Sequence, residues 1–529
     1  MLKALGLGAA VTPLLLRGGR WLPPPAGELP LGPAGLTTRE GPVREVAPGV
    51  VLRSFTRGHA SGHWTVAVHT GDAVLAPDRD AADATAAGLH RQGFPARVRE
   101  RAAPESADAR GGTAGYDVWS GSYAARADAE RALRRLESTG AAGEVTHSAA
   151  VGTPSTGPWS LYVVEAQPWA QVRARNLTSG NMAVARTVRE LAREHDALAA
   201  VNAAYFDIRT NAQFGGYEGD PLGILMDRGH VLSEANNGRT AALFGAGPAD
   251  TRIAELRTEC AVFTPDGQRR AVGGINRVPG RILGCGGTGG RSPVEGADAR
   301  LPQNFVLCTD PDDLVLFDEG WGTRTPRVAD GAVEAVLGPD GTVRELRSPA
   351  GGEVPAGGRV LHGIGTAAHW LRDHATTGRR LTVTTEVRDA EGARADGPDT
   401  SAVAGGPALL RHGETWLNTR ANGMVDPATG GPSTVLTERL PRTAVGTAPD
   451  GRLLLAVVDG RSPDHSVGAT LHELAGVLRW LGASDALALD GGGSTTMAVG
   501  GGLANRPTGE WGGETTEREV ATALALTET

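Results

Sequence analysis

The sequence predicts an α+β protein with a large mixed-sheet domain at residues 159–529 and a small βαββαβ domain at residues 59–152. Apolar runs of strand length recur throughout the large part, and several amphipathic helices separate them. The small part repeats the order strand, helix, strand. At 529 residues the chain is long enough to bury two cores.

The N-terminal segment, residues 1–45, reads as a signal-like run followed by a linker. Residues 4–16 are apolar over a length typical of a signal peptide and too short for a bilayer, although Arg17 and Arg20 stand where small cleavage-site residues are expected. Residues 22–45 are rich in Pro, Gly and charge, as linkers are. We therefore expect a secreted or cell-wall-associated protein; a truncated start and an uncleaved anchor stay open.

The small domain shows two strand–helix–strand units. Alternating or β-rich runs predict strands, and Ala-rich amphipathic runs predict helices. The predicted strands are 64–68, 96–99, 116–121 and 143–147, and the predicted helices are 81–91 and 125–138.

This order resembles the SPOR domain, a fold of two such repeats that binds bacterial peptidoglycan. The resemblance covers residues 63–150 and includes the Tyr-x-Val-x-x-Gly-Ser-Tyr strand from Tyr116 to Tyr123. It implies that peptidoglycan or another cell-wall glycan binds on the sheet face.

The large domain begins with a strand at 159–164 and continues in strands, turns and a few helices. The amphipathic spacing of residues 183–195 and 468–481 predicts helices. Apolar runs predict strands at 197–205, 453–458 and 486–489, and residues 221–230 read as a hairpin.

The strand at 486–489 ends in the most informative turn of the chain, Asp490-Gly491-Gly492-Gly493-Ser494. Three glycines let a backbone approach a ligand closely and turn its N–H groups toward an anion, so this turn is a candidate phosphate site. A tight turn with a capping Asp is the alternative. No Gly-Lys-Ser/Thr follows the glycines, which excludes a Walker-type loop.

Composition excludes several functions. Lys3 is the only lysine, so no lysine nucleophile or Schiff base is available in the folded body, and anions must be bound by arginine or by backbone N–H groups. With a net charge of −8 and only 4% aromatic residues, the chain has neither the basic surface nor the aromatic stacking side chains that nucleic-acid binding requires. A peptidase or esterase would need a Gly-x-Ser-x-Gly elbow, which is absent.

Three cysteines fit an exported protein with one disulfide and one free thiol. We predict the pair Cys285 and Cys308, because both lie in one Gly- and Pro-rich excursion that a cross-link would tie down. Their spacings do not offer a zinc site. No cofactor is demanded by the sequence, and a divalent cation at the acidic turn stays open.

The motifs of the large domain, in their order, resemble the phosphodiester glycosidase family, of the N-acetylglucosamine-1-phosphodiester alpha-N-acetylglucosaminidase type. They are Val201 to Phe206, Asp220 to Gly223, Gly405 to Pro407, Arg442 to Gly446, Asp459 to Arg461, Asp490 to Ser494 and Asn505 to Pro507. Residues 46–58 would then give this domain its first strand, with the small domain as an insertion. Ala203-Ala204-Tyr205 departs from the family's usual Gly-Gly-Phe, which is expected to narrow the pocket without removing Asn202.

The resemblance implies hydrolysis of a sugar-1-phosphodiester at the anomeric bond. We assign Asp490 as the principal catalytic carboxylate, Asp207 as a second acid/base candidate and Asp459 as a weaker alternative. The remaining expected substrate contacts are Arg442 and Arg461 on the phosphate, Asn202, Ser494 and Asn505 on sugar or phosphate oxygens, and the turn glycines Gly491, Gly492 and Gly493.

Simpler roles remain for each group at this stage. The arginines could pair with carboxylates, Asn202 could satisfy backbone groups, and Asp459 could cap a turn. A non-catalytic cell-wall glycan-binding protein is the alternative to a hydrolase.

Overall fold

The computed structural model describes residues 27–71, 73–151, 154–182, 184–207, 219–287, 289–328, 330–425 and 433–529. The signal-like run at 4–16 lies outside these ranges. In the described part of the chain, no helix is long and apolar enough to cross a membrane.

A nine-stranded sheet forms the centre of the large domain. Its strands, in spatial order, are Thr38–Glu40, Val50–Arg57, Trp159–Ala166, Leu453–Val458, Arg442–Thr447, Asp485–Ala488, Ala408–Arg411 and Glu414–Thr415, with Arg44–Ala47 also paired to Val50–Arg57. The pairing of Val50–Arg57 with Trp159–Ala166 places the predicted strand at 46–58 in the large domain, on the far side of the small domain in sequence.

Alternation along the central strand Leu453–Val458 shows how this sheet is buried on both faces. Leu454 and Ala456 pack in a core with the helix Leu471–Trp480. Leu455 and Val457 pack on the opposite face, against residues of two further sheets. The sheet is therefore a middle layer, which explains why its strands read as continuous apolar runs.

Two further sheets lie against that second face. The first is five-stranded, in the order Gly502–Leu503, Met497–Val499, Ala199–Asn202, Ala523–Glu528, Val172–Leu177. The second is seven-stranded, in the order His230–Ser233, Leu225–Asp227, Ser401–Ala404, Thr240–Phe244, Arg252–Phe263, Arg269–Ala271, with Thr382–Asp389 also paired to Arg252–Phe263.

The remaining strands of the large domain form three smaller sheets. One has five strands, in the order Gly274–Ile275, Leu314–Phe317, Arg359–Gly363, Val333–Leu337, Val343–Arg347. Two-stranded sheets pair Arg281–Cys285 with Pro302–Thr309 and Arg186–Thr187 with Glu519–Val520. The predicted Cys285–Cys308 disulfide is present in the former, with Cα atoms 5.3 Å apart.

The large domain is mostly antiparallel β-structure with few helices, so the predicted mixed sheet is confined to the five-stranded sheet that contains Gly274–Ile275. Among the described strands, the pairing of Gly274–Ile275 with Leu314–Phe317 is the parallel one. Parallel neighbours need long crossovers, usually helical. The α-helices described here are few: Val188–Glu194, Gly365–His374, Thr434–Thr437 and Leu471–Trp480, with 3₁₀ turns at Pro248–Asp250 and Gly492–Ser494.

The small domain has the predicted βαββαβ order. Its strands Trp64–Val68, Ala96–Ala103, Gly112–Tyr123 and Gly143–His147 form an antiparallel sheet, and its helices are Arg79–Arg91 and Arg126–Glu137. Val66, Val68 and Val118 pack against the helices. The opposite face carries Ala67 and Trp119, which pack against Val151.

That opposite face is turned toward the large domain. The Arg101 guanidinium donates to the Glu438 carboxylate at 2.6 Å and also pairs with Asp117. The Asp108 carboxylate accepts the backbone N–H groups of Arg420 and Ala421 at 3.0 and 2.8 Å. The small domain is thus fixed against the large one by charged and capping contacts.

The linker prediction is wrong for residues 27–45. Leu29 and Leu31 are fully buried in the main core beside Trp159. The buried Arg57 guanidinium donates to the carbonyls of Leu31, Leu36 and Pro33 and holds this segment in place. The Pro- and Gly-rich composition suggested a linker because such segments rarely form helices or strands. Here the Arg57 side chain satisfies backbone carbonyls that no helix or sheet pairs, and the segment is ordered.

Candidate active site

Asp490 stands where two sheets meet. Its backbone N–H donates to the Ala203 carbonyl at 2.9 Å, just beyond the strand Ala199–Asn202 of the five-stranded sheet. Its own strand, Asp485–Ala488, belongs to the nine-stranded sheet. This hydrogen bond joins the ends of the two strands and so fixes the position of Asp490.

A cavity of about 370 Å³ opens in front of Asp490. Its polar lining is Asp490, Asp207, the turn glycines Gly491, Gly492 and Gly493, and the arginines Arg442, Arg461 and Arg518; Tyr205, Phe206, Leu222, Leu283, Val435 and Leu440 complete the wall. An apolar pocket with a few convergent polar groups is the usual form of a small-ligand site.

Burial raises the pKa of Asp490 from 3.8 to about 6. The Ser494 hydroxyl, the Arg518 charge and the Gly491 N–H, which donates to the carboxylate at 2.9 Å, act in the opposite direction. A half-buried carboxyl group with a pKa near 6 can change protonation state near neutral pH, as acid–base chemistry requires.

Two of the three turn glycines use their N–H groups within the protein. The Gly491 N–H is used by Asp490, and the Gly492 N–H donates to the Pro441 carbonyl at 2.8 Å. Because Gly492 and Gly493 have no side chains, the Arg461 and Arg518 guanidinium groups can lie close to the turn. A Cβ atom on Gly493 would lie 2.6 Å from an Arg518 guanidinium nitrogen, and one on Gly492 would lie 3.3 Å from Arg461.

Three arginines line the cavity, and none forms an ion pair with a carboxylate of the described residues. Arg442 is buried and donates to the backbone carbonyls of Ala469, Val435 and Glu438. Burial lowers the pKa of Arg442 to about 10. Burial and the neighbouring Arg518 lower the pKa of Arg461. Uncompensated guanidinium groups that repel one another favour an anionic ligand.

Arg518 was not among the residues predicted for the site. It lies just before the short strand Glu519–Val520, whose pairing with Arg186–Thr187 brings it to the cavity. No motif marks this arginine in the sequence, and the long-range pairing that places it is invisible to local patterns.

Asn202 and Ser494 lie behind the turn rather than in the cavity. The Asn202 amide donates to the Asp490 carbonyl at 2.6 Å and accepts from Thr443 and from the Thr496 N–H. Ser494 is fully buried next to the Asp490 carboxyl. Neither residue lines the cavity, and the Asn202 side chain satisfies backbone groups, which is the alternative that the sequence left open.

Asp459 and Asn505 also lie outside the cavity lining. The buried Asp459 carboxylate accepts from Asn505 at 2.8 Å, from the Arg506 N–H at 3.1 Å and from His465 at 2.8 Å. The Asn505 oxygen accepts the Met497 N–H. These hydrogen bonds join residues 505 and 506 to the end of the strand Leu453–Val458 in the nine-stranded sheet. They account for the burial of Asp459 without a contact to substrate.

Asp459→Ala is accordingly expected to destabilise the fold by about 2–4 kcal/mol, because several buried donors lose their acceptor. Urea unfolding measures this change, and Asp464→Ala, at an exposed neighbouring position, is the matched control. The sugar-releasing activity that the family resemblance implies should fall less than tenfold per folded molecule. A stable variant without activity would return Asp459 to the catalytic set.

Asp207 lines the cavity, as predicted, although its side chain is 2% exposed. The Asp207 N–H donates to the Asp220 carbonyl at 3.2 Å, next to the bridge between Phe206 and Pro221. Burial raises the pKa of Asp220 well above its usual range, and the charge of Asp207 contributes to that rise. The site thus holds two carboxyl groups of different environment, Asp490 and Asp207.

Within the described ranges, no group of three His, Cys, Asp or Glu side chains is arranged to hold a metal ion. The cavity instead places three arginines beside the two carboxyl groups, an arrangement suited to an anionic ligand.

Residues 330–527 match the family model described as phosphodiester glycosidase. The mouse protein N-acetylglucosamine-1-phosphodiester alpha-N-acetylglucosaminidase is 29% identical over 178 residues, 29% of this chain and 34% of the mouse protein. The match thus spans about a third of the length of this curated relative. Both findings support the phosphodiester glycosidase family for part of the chain.

Two solved structures are similar over nearly the whole chain. A protein of Burkholderia pseudomallei described as a putative exported protein has 30% identity and a TM-score of 0.85, covering 96% of this chain and 99% of that one. A hypothetical protein from Synechocystis has 17% identity and a TM-score of 0.52, covering 93% and 79%, and supports the fold alone. Coverage of 96% means that the Burkholderia protein shares the inserted small domain.

Proposed function

Because this chain belongs to one family with the Burkholderia pseudomallei protein, and its residues 330–527 match the phosphodiester glycosidase model, we propose that it is a hydrolase of sugar-1-phosphodiesters. The bond cleaved is the anomeric bond of an N-acetylglucosamine-type sugar. One observation carries this proposal: a carboxyl group with a pKa near 6 faces three arginines that have no carboxylate partner among the described residues.

In this proposal the arginines bind the phosphodiester. Guanidinium groups bind phosphate oxygens in pairs of parallel hydrogen bonds, and they stabilise the charge that builds on the departing phosphate. Arg442 is pinned by three carbonyls and Arg461 and Arg518 lie against the glycine turn, so the anion would meet preorganised donors.

The anomeric carbon would then lie beside Asp490. The C1–O bond to phosphate breaks with its electron pair leaving on the phosphomonoester, and a new C1–O bond forms to water, whose proton passes to the Asp490 carboxylate. Asp490 also stabilises positive charge on the sugar ring in the transition state. Asp207, on the same cavity, is the second acid/base candidate for the leaving oxygen.

We also propose export to the cell surface and a cell-wall glycan as the setting of this activity. Two findings support this proposal: the Burkholderia relative is described as an exported protein, and the small domain has the βαββαβ order. The SPOR-type resemblance placed glycan on an open sheet face, but that face here packs against Val151 and Glu438. A glycan could reach it only along the groove between the domains.

The test is release of free sugar from UDP-N-acetylglucosamine or the methyl phosphodiester of N-acetylglucosamine-1-phosphate. We expect the intact protein to release N-acetylglucosamine together with a phosphomonoester or UDP. No turnover of either compound, with retained binding to peptidoglycan, would favour the non-catalytic glycan-binding protein instead.

A further inference from the structure

A second cavity of about 530 Å³ lies between the two domains and adjoins the first. Arg461 and Leu440 line both cavities. We propose that this interdomain groove binds the part of the substrate beyond the phosphate, and that this part is a neutral oligosaccharide. The inference rests on the proposed function, and it adds the class of the leaving group.

Both domains build the walls of the groove. Ala67, Glu144 and Thr146 come from the sheet face of the small domain that points away from its helices. The large domain supplies Glu438 and the segment from Gly509 to Trp511. A phosphate held at Arg461 would therefore have its sugar in the first cavity and its other substituent directed into the groove.

Apart from Arg461, which this proposal places at the phosphate, the arginines of the groove are paired with carboxylates, and such a lining favours an uncharged ligand. Arg101 is paired with Asp117 and Glu438, and Arg126 is paired with Glu130 and Glu510. The exposed Glu144 adds negative charge. A polymer with a phosphate at every repeat would place anions against these carboxylates, whereas sugar hydroxyls can donate to them and accept from the arginines.

Trp511 supplies an aromatic surface in this groove. The ring is half-buried and stacks on the His147 imidazole, with ring centroids 5.8 Å apart and planes 19° from parallel. A large ring held on one side by a neighbour loses little entropy when a ligand covers its other surface. Such a ring between hydrogen-bonding carboxylates and arginines suits the apolar face and hydroxyl rim of a sugar.

The groove is rigid enough to act as a site. Across the two domains, the Glu105 carbonyl meets His472 at 2.9 Å, in addition to the Arg101–Glu438 pair and the Asp108 contacts. The walls therefore keep their spacing without help from a ligand.

The experiment compares two substrates with the intact protein. One is the methyl phosphodiester of N-acetylglucosamine-1-phosphate, and the other carries a neutral N-acetylglucosamine trisaccharide in place of methyl. We expect kcat/KM for the trisaccharide substrate to exceed that for the methyl ester at least tenfold. Trp511→Ala and Glu144→Gln should each lower this ratio at least threefold, and Trp416→Ala, at an exposed ring outside both cavities, should leave it unchanged.

A ratio near one with the intact protein overturns the groove proposal and leaves the hydrolase intact. A substrate whose substituent is a chain of repeated phosphodiesters is a further test. If its kcat/KM exceeds that of the trisaccharide substrate, the groove proposal is also overturned. If neither substrate is hydrolysed, the proposed function fails, and calorimetry with the neutral trisaccharide then decides the groove. Binding that Glu144→Gln weakens supports it, and absence of binding overturns it.

Discussion

Asp490→Asn is expected to lower kcat/KM for a sugar-1-phosphodiester by about 10³-fold. The change keeps the shape of the side chain and removes the charge that activates water and stabilises the sugar cation, contributions of about 10²- to 10⁴-fold for positioned acid–base groups. Release of N-acetylglucosamine from the methyl phosphodiester measures it. A folded variant that keeps more than a tenth of the activity would remove Asp490 from the catalytic role.

The pH profile separates two roles for Asp490. Its pKa is raised by burial to about 6. The three arginines already stabilise the leaving phosphate, so we expect Asp490 to act as the ionised carboxylate, and kcat/KM to rise about tenfold per pH unit below 6 and to level off above it. Activity that falls above pH 6 would instead make Asp490 the general acid.

Stability provides the folding control for the same variant. The Asp490 pKa is higher in the folded protein than its ordinary value of 3.8, so between pH 3.8 and 6 the folded protein retains a proton that the unfolded chain releases. The cost of holding Asp490 ionised therefore grows through this window and is complete above pH 6. By urea unfolding, Asp490→Asn should be more stable than the parent by about 1–3 kcal/mol at pH 7.5 and similar at pH 4.

Local sequence patterns predicted single elements better than their assembly. The helix predicted at 468–481 is observed at Leu471–Trp480, where Thr470 and Glu473 form a capping box. All six elements of the small domain were located correctly. The antiparallel arrangement of the large domain was missed, because pairings such as Val50–Arg57 with Trp159–Ala166 join residues separated by a whole domain.

The site shows the same division. Asp490 and the glycines were found because a strand, a carboxylate and a tight turn follow one another in sequence. Asn202 was found as well, but two roles stayed open for it, since motif position does not show whether an amide faces a ligand or a backbone carbonyl. Arg518 needed the tertiary pairing at Glu519–Val520 to reach the cavity.

Arg518→Ala is expected to lower kcat/KM by about 10²-fold, and the double change Arg461→Ala with Arg518→Ala by about 10³-fold. Charge-assisted hydrogen bonds to phosphate each contribute about 1.5–3 kcal/mol, and the two guanidinium groups line the same cavity, so the losses should not add fully. Hydrolysis of the methyl phosphodiester measures the loss. Arg344→Ala is the matched control, because this side chain is 62% exposed on the strand Val343–Arg347 and does not line the cavity.

Inhibition by the phosphomonoester product shows whether Arg518 binds phosphate in the ground state or stabilises charge only in the transition state. If Arg518 grips phosphate in the ground state, the inhibition constant for methyl phosphate should rise with the loss of activity in Arg518→Ala, and Arg518→Lys should restore only part of it, since lysine lacks the planar fork. If kcat falls while product inhibition is unchanged, Arg518 acts on charge that develops only in the transition state. Unchanged activity and inhibition in the folded double variant would show that Arg461 and Arg518 do not bind the phosphate, and the proposed phosphate site of this cavity would fail.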